Sequence, residues 1–210
     1  MHIPDGFIPL WQCVIYYVIL IVAVYFASKW ARNNLDEKRI PLMAVLAAGI
    51  FAIMSINIPI PFGTSGHMIG GVLVALVFMA PEACVIIFTC VLLIQALLFG
   101  DGGITVLGAN VLNMGIITGL VGIGTYKGLK GFIGRYPSIA IAAWLATVIS
   151  ALAAAVELAI AGTFPLSLGI ASMVLYHVFI GVIEAALTCI VIYALDSYRP
   201  DLIKALNKSD

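Results

Sequence analysis

Two histidines and the free end of the chain could together hold a transition metal. A histidine at position two offers a metal three nitrogens: the terminal amine of Met1, the backbone nitrogen of His2 after deprotonation, and Nδ1 of the His2 imidazole. These nitrogens close two fused chelate rings in one plane. A fourth nitrogen in that plane would complete a square, an arrangement that suits Ni(II) or Cu(II). We expect Met1 to be retained, because methionine aminopeptidase acts where the second residue is small, and His2 is bulky.

His67 is the candidate for the fourth nitrogen. The chain has only three histidines, and His67 follows a short segment, Gly63 to Gly66, whose glycines let the backbone approach closely. A metal site is one of two interpretations. His2 could instead be a solvated terminal side chain, and His67 a polar residue at the start of a helix.

Metal-binding imidazoles are normally oriented by polar neighbours. The candidates for that role are Asp5, Thr64, Ser65, Gln95, Asn110 and Asn113. Each of them could instead cap a helix or form a hydrogen bond between helices.

The composition indicates that lipid surrounds most of the chain. Of the 210 residues, 63% are hydrophobic and 10% are charged, whereas soluble proteins average roughly 45–50% and about 25%. Apolar windows of about twenty residues predict seven membrane spans. The windows are 9–28, 41–58, 67–80, 82–99, 107–126, 138–161 and 168–195. The third is short, which suggests that it starts part-way down inside the bundle. We therefore predict an all-α bundle of seven transmembrane helices, forming a single membrane domain over residues 1–210.

The basic residues predict how the chain is oriented. All ten lysines and arginines fall in three segments, residues 29–39, 127–135 and 199–208. With seven spans these segments emerge on one side, which the positive-inside rule assigns to the cytoplasm. The N-terminus, with residues 1–8 as an extracellular metal-chelating segment, then lies outside the cell, and the C-terminus lies in the cytoplasm.

Several classes of function are disfavoured. The net charge of zero gives no indication of a nucleic-acid partner. The four cysteines lie inside apolar segments without a Cys-x-x-Cys pairing, which indicates packing rather than a disulfide framework or a zinc site. The sequence has no Gly-x-x-x-x-Gly-Lys-Ser/Thr loop, so any energy that the protein uses must come from a partner or a gradient.

Ionisable residues also occur inside the last two spans. His177 and Glu184 lie seven residues apart and hence on one helix face, and Glu157 lies in the preceding span. His177 and Glu184 could form a structural pair, or they could belong to a proton relay.

The second span carries a regular row of small residues. Ala44, Ala48 and Ala52 repeat every fourth residue on one face. Small residues at this spacing let another helix come close in lipid. The partner helix could belong to another protein or to this chain.

Several segments resemble a known family of membrane proteins. The chain is similar over nearly its whole length to the CbiM/NikM substrate-binding (S) component of energy-coupling factor (ECF) transporters. The segments that carry the resemblance are Met1 to Phe7, Gly63 to His67, Ala96 to Gly103, Leu107 to Asn110, and Asn113 to Gly115.

The resemblance implies a seven-helix protein that captures nickel or cobalt outside a prokaryotic cell. In this family the metal is held in a plane by groups that correspond here to Met1, His2 and His67. A membrane T component and two cytosolic ATPases then drive transport, so that the S component itself performs no catalysis. Alanine faces like that of the second span are associated with docking to the T component.

We therefore predict a nickel-binding S component, a multi-pass protein of the cell membrane that needs no cofactor. Cobalt is the alternative cargo. Nickel is preferred because cobalt members of the family usually continue Met-His-Ile with Met-Glu-Gly, whereas this chain has Pro4, Asp5 and Gly6. A stand-alone proton-coupled transporter is a second alternative. An intramembrane metallohydrolase is disfavoured, because His-Glu-x-x-His is absent. A small accessory membrane subunit stays open as a further partner.

Overall fold

The described part of the chain forms a bundle of helices with one short β-hairpin near one end. The computed structural model describes residues 1–60 and 64–207. The helices are α1 Leu10–Asn34, α2 Arg39–Met54, α3 Gly71–Phe78, α4 Pro81–Phe99, α5 Leu107–Ile133, α6 Arg135–Ile160, α7 Leu166–Tyr198 and α8 Lys204–Asn207. The hairpin pairs β1, Ile58–Ile60, with β2, Thr64–Gly66, in antiparallel fashion. Three segments within the longer helices are π-helical: Gln95–Phe99, Leu112–Ile117 and Ile170–Val174.

Five of the helices that the structure describes are long and apolar enough to cross a membrane, namely α1, α4, α5, α6 and α7. They coincide with five of the predicted spans. Helix α2 is apolar but has 16 residues, and α3 has only eight. The chain is therefore a mostly helical membrane protein, while the count of seven spans and the direction of insertion stay predictions.

Two predicted boundaries were wrong. The second span was expected to continue to Ile58, but α2 ends at Met54 and Ile58 lies in β1, so the chain is not purely helical. Pro59 explains the change, because proline lacks the N–H of a helical hydrogen bond and favours extended backbone in the residue before it. The third span was expected from residue 67, but α3 begins only at Gly71. Gly70 has a φ of 72°, a left-handed conformation that interrupts a helix.

Small residues hold the middle of the bundle together. Helix α6 packs against α5 on one side and α7 on the other. Its buried face is rich in alanine, at Ala142, Ala143, Ala146, Ala151, Ala154 and Ala155. Small side chains let helices approach closely, which matters in lipid because close packing rather than the hydrophobic effect drives helix association there. The short α3 is buried among α4, α5, α6 and α7.

The basic residues gather at one end of the bundle. The loop between α1 and α2 lines a cavity together with residues near the C-terminus: Asp36, Lys38, Arg39, Leu42, Asp201, Leu202 and Lys204. Arg135, at the start of α6, donates a hydrogen bond to Asn207 at 2.8 Å. The three basic segments therefore meet at one end, as the charge pattern predicted. Lys208 lies outside the described residues.

The alanine face of α2 points away from the bundle. Ala44, Ala48 and Ala52 are all exposed, whereas Ile50 and Met54 on the other side of the helix are buried. The small-residue row is therefore not used for packing within the part of this chain that the structure describes.

Candidate metal centre

The first residues of the chain run across the end of the bundle where α1 begins, opposite the basic residues. Met1, Ile3 and Ile8 are buried. Asn110, in the first turn of α5, pairs with the main chain of Ile3: its Oδ1 accepts the Ile3 N–H at 2.9 Å, and its Nδ2 donates to the Ile3 carbonyl at 3.0 Å. The Asn110 side chain thus fixes the path of the chain directly after His2.

Asp5 ties this segment to the loop between α4 and α5. Its carboxylate accepts hydrogen bonds from the N–H groups of Ile104 and Thr105, at 3.2 and 2.8 Å. Burial tends to raise the pKa of Asp5, but the hydrogen bonds from Thr105 and Ile104 outweigh it and lower the pKa. At Gly103 a Cβ atom would lie 2.2 Å from Asp5 Oδ1. Only a glycine at this position lets the two segments pass so closely.

The terminal amine is buried rather than solvated. Met1 is fully buried, and its amine donates a hydrogen bond to the carbonyl oxygen of Ser65 in β2. Burial lowers the pKa of this amine from 8.0 to about 4, although the charge of Asp101 acts to raise it. The amine is therefore neutral near pH 7 and has a lone pair to offer a metal.

His2 lies between Gln95 and Asp101. Its Nε2 is 3.2 Å from Oε1 of Gln95, the first residue of the π-helical turn that ends α4. Its Nδ1 is 3.0 Å from Oδ1 of Asp101, but the geometry is not that of a hydrogen bond, so Nδ1 has no such partner among the described residues. Burial lowers the pKa of His2 despite the neighbouring carboxylate. In the tautomer that donates Nε2–H to Gln95, the lone pair of the imidazole lies on Nδ1.

His67 is fully buried in the segment between β2 and α3. Its Nδ1 lies 2.8 Å from the carbonyl oxygen of Met68, so Nδ1 carries the proton and Nε2 the lone pair. Nε2 has no hydrogen-bond partner in the part of the chain that the structure describes. Burial, the terminal amine and His2 all lower the pKa of His67. A buried, neutral imidazole with a free nitrogen is well suited to bind a metal.

The two imidazole rings lie against each other. Their centroids are 4.5 Å apart, and their planes are inclined by 29°. Two imidazoles bound at right angles to one metal, with metal–nitrogen distances of about 2 Å, also have their centroids about 4.5 Å apart. Over residues 1–60 and 64–207 no three histidine, cysteine, aspartate or glutamate side chains are grouped to hold a metal. A metal at this site would therefore need donors other than a third side chain of these four types.

The structure brings Met1, His2 and His67 together, and it places three of the predicted polar neighbours at them or beside them. Gln95 contacts His2, Asn110 holds the adjoining Ile3, and Ser65 contributes its carbonyl oxygen to Met1. Asp5 instead contacts the loop between α4 and α5. Gly63 and the side chain of Thr64 lie outside what the structure describes.

Asn113 was expected beside the histidines, but the structure gives it a different partner. Its Nδ2 donates to Oε2 of Glu157 at 2.7 Å, and the hydroxyl of Ser150 donates to its carbonyl at 2.7 Å. Three residues of helix place Asn113 about 4.5 Å further along the axis than Asn110. Asn113 therefore joins α5 to α6 inside the bundle.

Asp101 is a site residue that the sequence interpretation did not assign. Its two oxygens face Nδ1 of His2 at 3.0 Å and Nδ2 of Asn57 at 3.3 Å. The available signal was its position between Gly100 and Gly102, directly after an apolar helix, where a carboxylate needs a partner.

The proposed pair of His177 and Glu184 is not found. Nδ1 of His177 lies 2.7 Å from the carbonyl oxygen of Met173, one turn earlier in α7. The carboxylate of Glu184 instead accepts backbone hydrogen bonds from Ile69 and Gly70, before α3. The two side chains share a helix face but have different hydrogen-bond partners.

Comparison with known proteins identifies the family. A family model described as CbiM, "Cobalt uptake substrate-specific transmembrane region", matches residues 2–202. The chain belongs to the CbiM family.

The similarity of this CbiM family member to its relatives extends over nearly the whole chain. A crystal structure of a truncated transition metal transporter superposes with a TM-score of 0.88 at 36% identity, covering 94% of this chain and 99% of that one. A protein of Methanocaldococcus jannaschii is 36% identical over 96% of this chain and 94% of its own length. The fused nickel transport protein NikMN of Rhodobacter capsulatus is 34% identical, covering 97% of this chain and 64% of that protein.

The family and its relatives define the general activity. This CbiM family member is a nickel/cobalt transport protein that crosses the membrane several times. The relatives named above are transport proteins rather than enzymes.

Proposed function

We propose that this CbiM family member is the S component of an ECF-type importer and captures Ni(II) outside the cell. Four nitrogens hold the metal in one plane: the amine of Met1, the deprotonated backbone nitrogen of His2, Nδ1 of His2 and Nε2 of His67. The observation that carries the proposal is the buried cluster of one neutral amine and two imidazoles, each with a ring nitrogen that has no hydrogen-bond partner among the described residues.

The contacts around each donor support this assignment. In the tautomer in which Gln95 accepts the Nε2 proton of His2, the Nδ1 lone pair can close a chelate ring with the backbone nitrogen. The carbonyl of the following residue accepts the Nδ1 proton of His67 and leaves Nε2 free. Asn110 holds Ile3 on both its N–H and its carbonyl, which limits the movement of the backbone nitrogen before it. Donors that are already oriented lose little conformational entropy when the metal binds.

The planar donor set favours nickel as the preferred cargo. Tetragonal ligation by nitrogen is characteristic of Ni(II). The related protein of Rhodobacter capsulatus is named as a nickel transport protein, whereas the family description names cobalt. Co(II) bound by the same residues is therefore the alternative.

We further propose that partner subunits supply the energy: a membrane T component and two cytosolic ATPases. The sequence has no phosphate-binding loop of the Gly-x-x-x-x-Gly-Lys-Ser/Thr type. The exposed row Ala44, Ala48 and Ala52 on α2 supports docking to a T-component helix, because small side chains allow a close approach in lipid. A small accessory membrane subunit is a further candidate partner.

The metal site can be tested on purified protein that retains its native N-terminus. We expect one nickel ion per chain by elemental analysis, and X-ray absorption that shows nitrogen donors in a square plane. His67→Ala should lose one imidazole from that spectrum. A tetrahedral site, or one dominated by oxygen donors, would contradict the planar chelate.

Reconstitution tests the source of energy. In vesicles that hold a nickel-sensitive dye, uptake should require both the coupling module and ATP. Uptake driven by a proton gradient without any ATPase would instead identify a stand-alone transporter, with Glu157, His177 and Glu184 as its proton path.

A further inference from the structure

Glu184 is a buried carboxylate that the proposed metal chelate does not use. It lies in α7 and is only 3% exposed. An ionisable side chain within a membrane-spanning helix is costly and is normally retained for a specific partner. Oε2 accepts the backbone N–H of Ile69 at 2.9 Å, and Oε1 accepts the N–H of Gly70. The partner of Glu184 is thus the main chain just after His67.

The segment from His67 to Gly70 has little regular structure of its own. It follows β2 and precedes α3 without belonging to either. The hydrogen bond of the His67 side chain goes to Met68, within the same segment, and so does not anchor it to a helix. Gly70 adopts a left-handed φ of 72°. Among the described residues, the hydrogen bonds that join this segment to α7 come from Glu184.

Neighbouring helices confine the same segment on two sides. A Cβ at Gly70 would lie 2.1 Å from Cδ1 of Ile50 in α2, and a Cβ at Gly66 would lie 2.6 Å from Cδ1 of Ile180 in α7. These apolar contacts restrict where the segment lies, but they do not fix the direction of its N–H groups. Hydrogen bonds to a charged acceptor are both directional and stronger than neutral ones.

We propose that Glu184 is the positioning residue for His67: by holding the N–H groups of Ile69 and Gly70 it keeps the His67 imidazole where the fourth nitrogen of the metal plane must lie. This inference rests on the proposed function, since it assigns a role toward the bound metal. It gives α7 a part in metal retention, although no α7 side chain belongs to the proposed donor set.

Glu157 provides a matched control. It is also a buried glutamate, 5% exposed, in the neighbouring helix α6. Its carboxylate accepts a hydrogen bond from Asn113 rather than from the His67 segment. Glu157→Gln and Glu184→Gln therefore make the same substitution at a buried glutamate, but only the second removes an acceptor from the His67 segment.

The experiment uses the full chain with its native N-terminus, loaded with Ni(II). Two quantities are measured: the visible absorption spectrum of the bound nickel, and the rate at which nickel passes to an excess of chelator. We expect Glu184→Gln to accelerate dissociation by about tenfold, because one of two charge-assisted hydrogen bonds loses its acceptor. Glu184→Ala should be faster still, and its spectrum should move toward that of His67→Ala. Glu157→Gln should match the parent protein in both measurements.

The possible outcomes distinguish the proposed function from the proposed role of Glu184. If the parent protein shows no planar nickel spectrum, the proposed function fails and not merely the role of Glu184. If the parent binds as proposed and both Glu184 variants keep its spectrum and rate, the positioning role is wrong. Equal acceleration in Glu184→Gln and Glu157→Gln would also overturn it, since the effect would then be a general loosening of the bundle. Should Glu184→Ala fail to purify as a monodisperse protein, Glu184→Gln decides the question.

Discussion

The N-terminal segment and helix α2 are both apolar, yet the fold treats them in opposite ways. Met1 and Ile3 are 0% and 1% exposed, although chain ends are usually poorly ordered. Helix α2 instead keeps a whole face exposed, including Ala44, Ala48 and Ala52. One region is thus ordered by contacts within this chain, and the other offers a surface that the described part of the chain does not cover.

The difference follows from the partner that each region is proposed to bind, a metal ion or a protein helix. Ordering the first residues costs conformational entropy, which hydrogen bonds from Asn110 and contacts of Asp5 help to offset. A small ion needs such prior ordering, because it cannot itself organise distant donors. A protein helix needs only a smooth surface of small side chains, since close packing supplies the attraction in lipid. We therefore expect changes in the first region to affect metal affinity, and changes in the second to affect uptake alone.

Extending the chain ahead of Met1 should have the largest effect on metal affinity. An added residue converts the terminal amine into an amide, which is no longer a basic donor, and it brings extra atoms into a position where Met1 is fully buried. We expect nickel binding to fall below detection in calorimetry. The same residues added after Asp210 should leave binding unchanged. An N-terminally extended protein that binds nickel as tightly as the parent would show that the amine is not a ligand.

Removal of either proposed imidazole ligand should have the next largest effect. His2→Ala and His67→Ala each delete one of four donors, and we expect affinity to fall by more than about 100-fold, beyond the effect typical of groups that only orient a ligand. His177→Ala is the comparison variant, because the proposal gives His177 no ligand role: its Nδ1 contacts Met173 within α7, although its Nε2 has no hydrogen-bond partner among the described residues. Competition with a fluorescent chelator gives the affinities. If only His177→Ala lost binding, the metal site would lie among the helices.

The sequence alone predicts much of the difference between these two regions, because that part of the difference depends on residue type and local spacing. The Met1-His2 pair and His67 could be singled out by their chemistry, and the charge pattern predicted that the basic segments share one end. Five spans followed from apolar length alone. The regular spacing of alanines in α2 likewise predicted a small-residue face, although only the structure shows that this face is exposed.

The remaining features depend on contacts between distant segments. Asp101 reaches His2 across 99 positions of the chain, and Glu184 reaches Ile69 across 115. Neither contact follows a local sequence pattern. Asp101 was therefore not assigned to the site, and Glu184 was expected to pair with His177. The position of Asn113 was not predicted for a related reason. Its side chain donates a hydrogen bond to Glu157 of α6, and helical spacing alone does not reveal which partner a buried amide has. Sequence thus indicates the donors better than the groups that orient them.

Acidification should weaken nickel binding, but more gradually than the donors' ordinary pKa values would give. Protonation of the amine or an imidazole removes its lone pair, so affinity falls as pH falls. Burial lowers the pKa of the Met1 amine to about 4 and lowers the pKa values of His2 and His67, which makes all three donors neutral near pH 7. The main proton still released is that of the His2 backbone N–H. We expect about a tenfold change in affinity per pH unit between about pH 6 and 8.

Calorimetry in buffers of different ionisation enthalpy would count the protons released near neutral pH. Two or more protons would contradict the lowered pKa values of the amine and the imidazoles. No released proton would contradict ligation by the backbone nitrogen of His2.

Ala48→Leu should have the smallest effect on metal affinity, and none that calorimetry detects. Ala48 lies on the exposed face of α2, away from the histidines, so the larger side chain meets no packed neighbour among the described residues. It should nevertheless hold a partner helix away and remove the close contact on which association in lipid depends. We therefore expect uptake with the coupling module to fail while nickel binding persists.

Ala186→Leu is the matched control for Ala48→Leu, because Ala186 is an exposed alanine on α7 that also faces outward. The same added bulk there should leave both binding and uptake at the parental level, which separates loss of docking from misfolding. The decisive measurement is co-purification with the T component, alongside transport. If Ala48→Leu protein co-purifies and transports as the parent does, the alanine face of α2 only contacts lipid. The surface that docks the T component would then lie elsewhere on the protein.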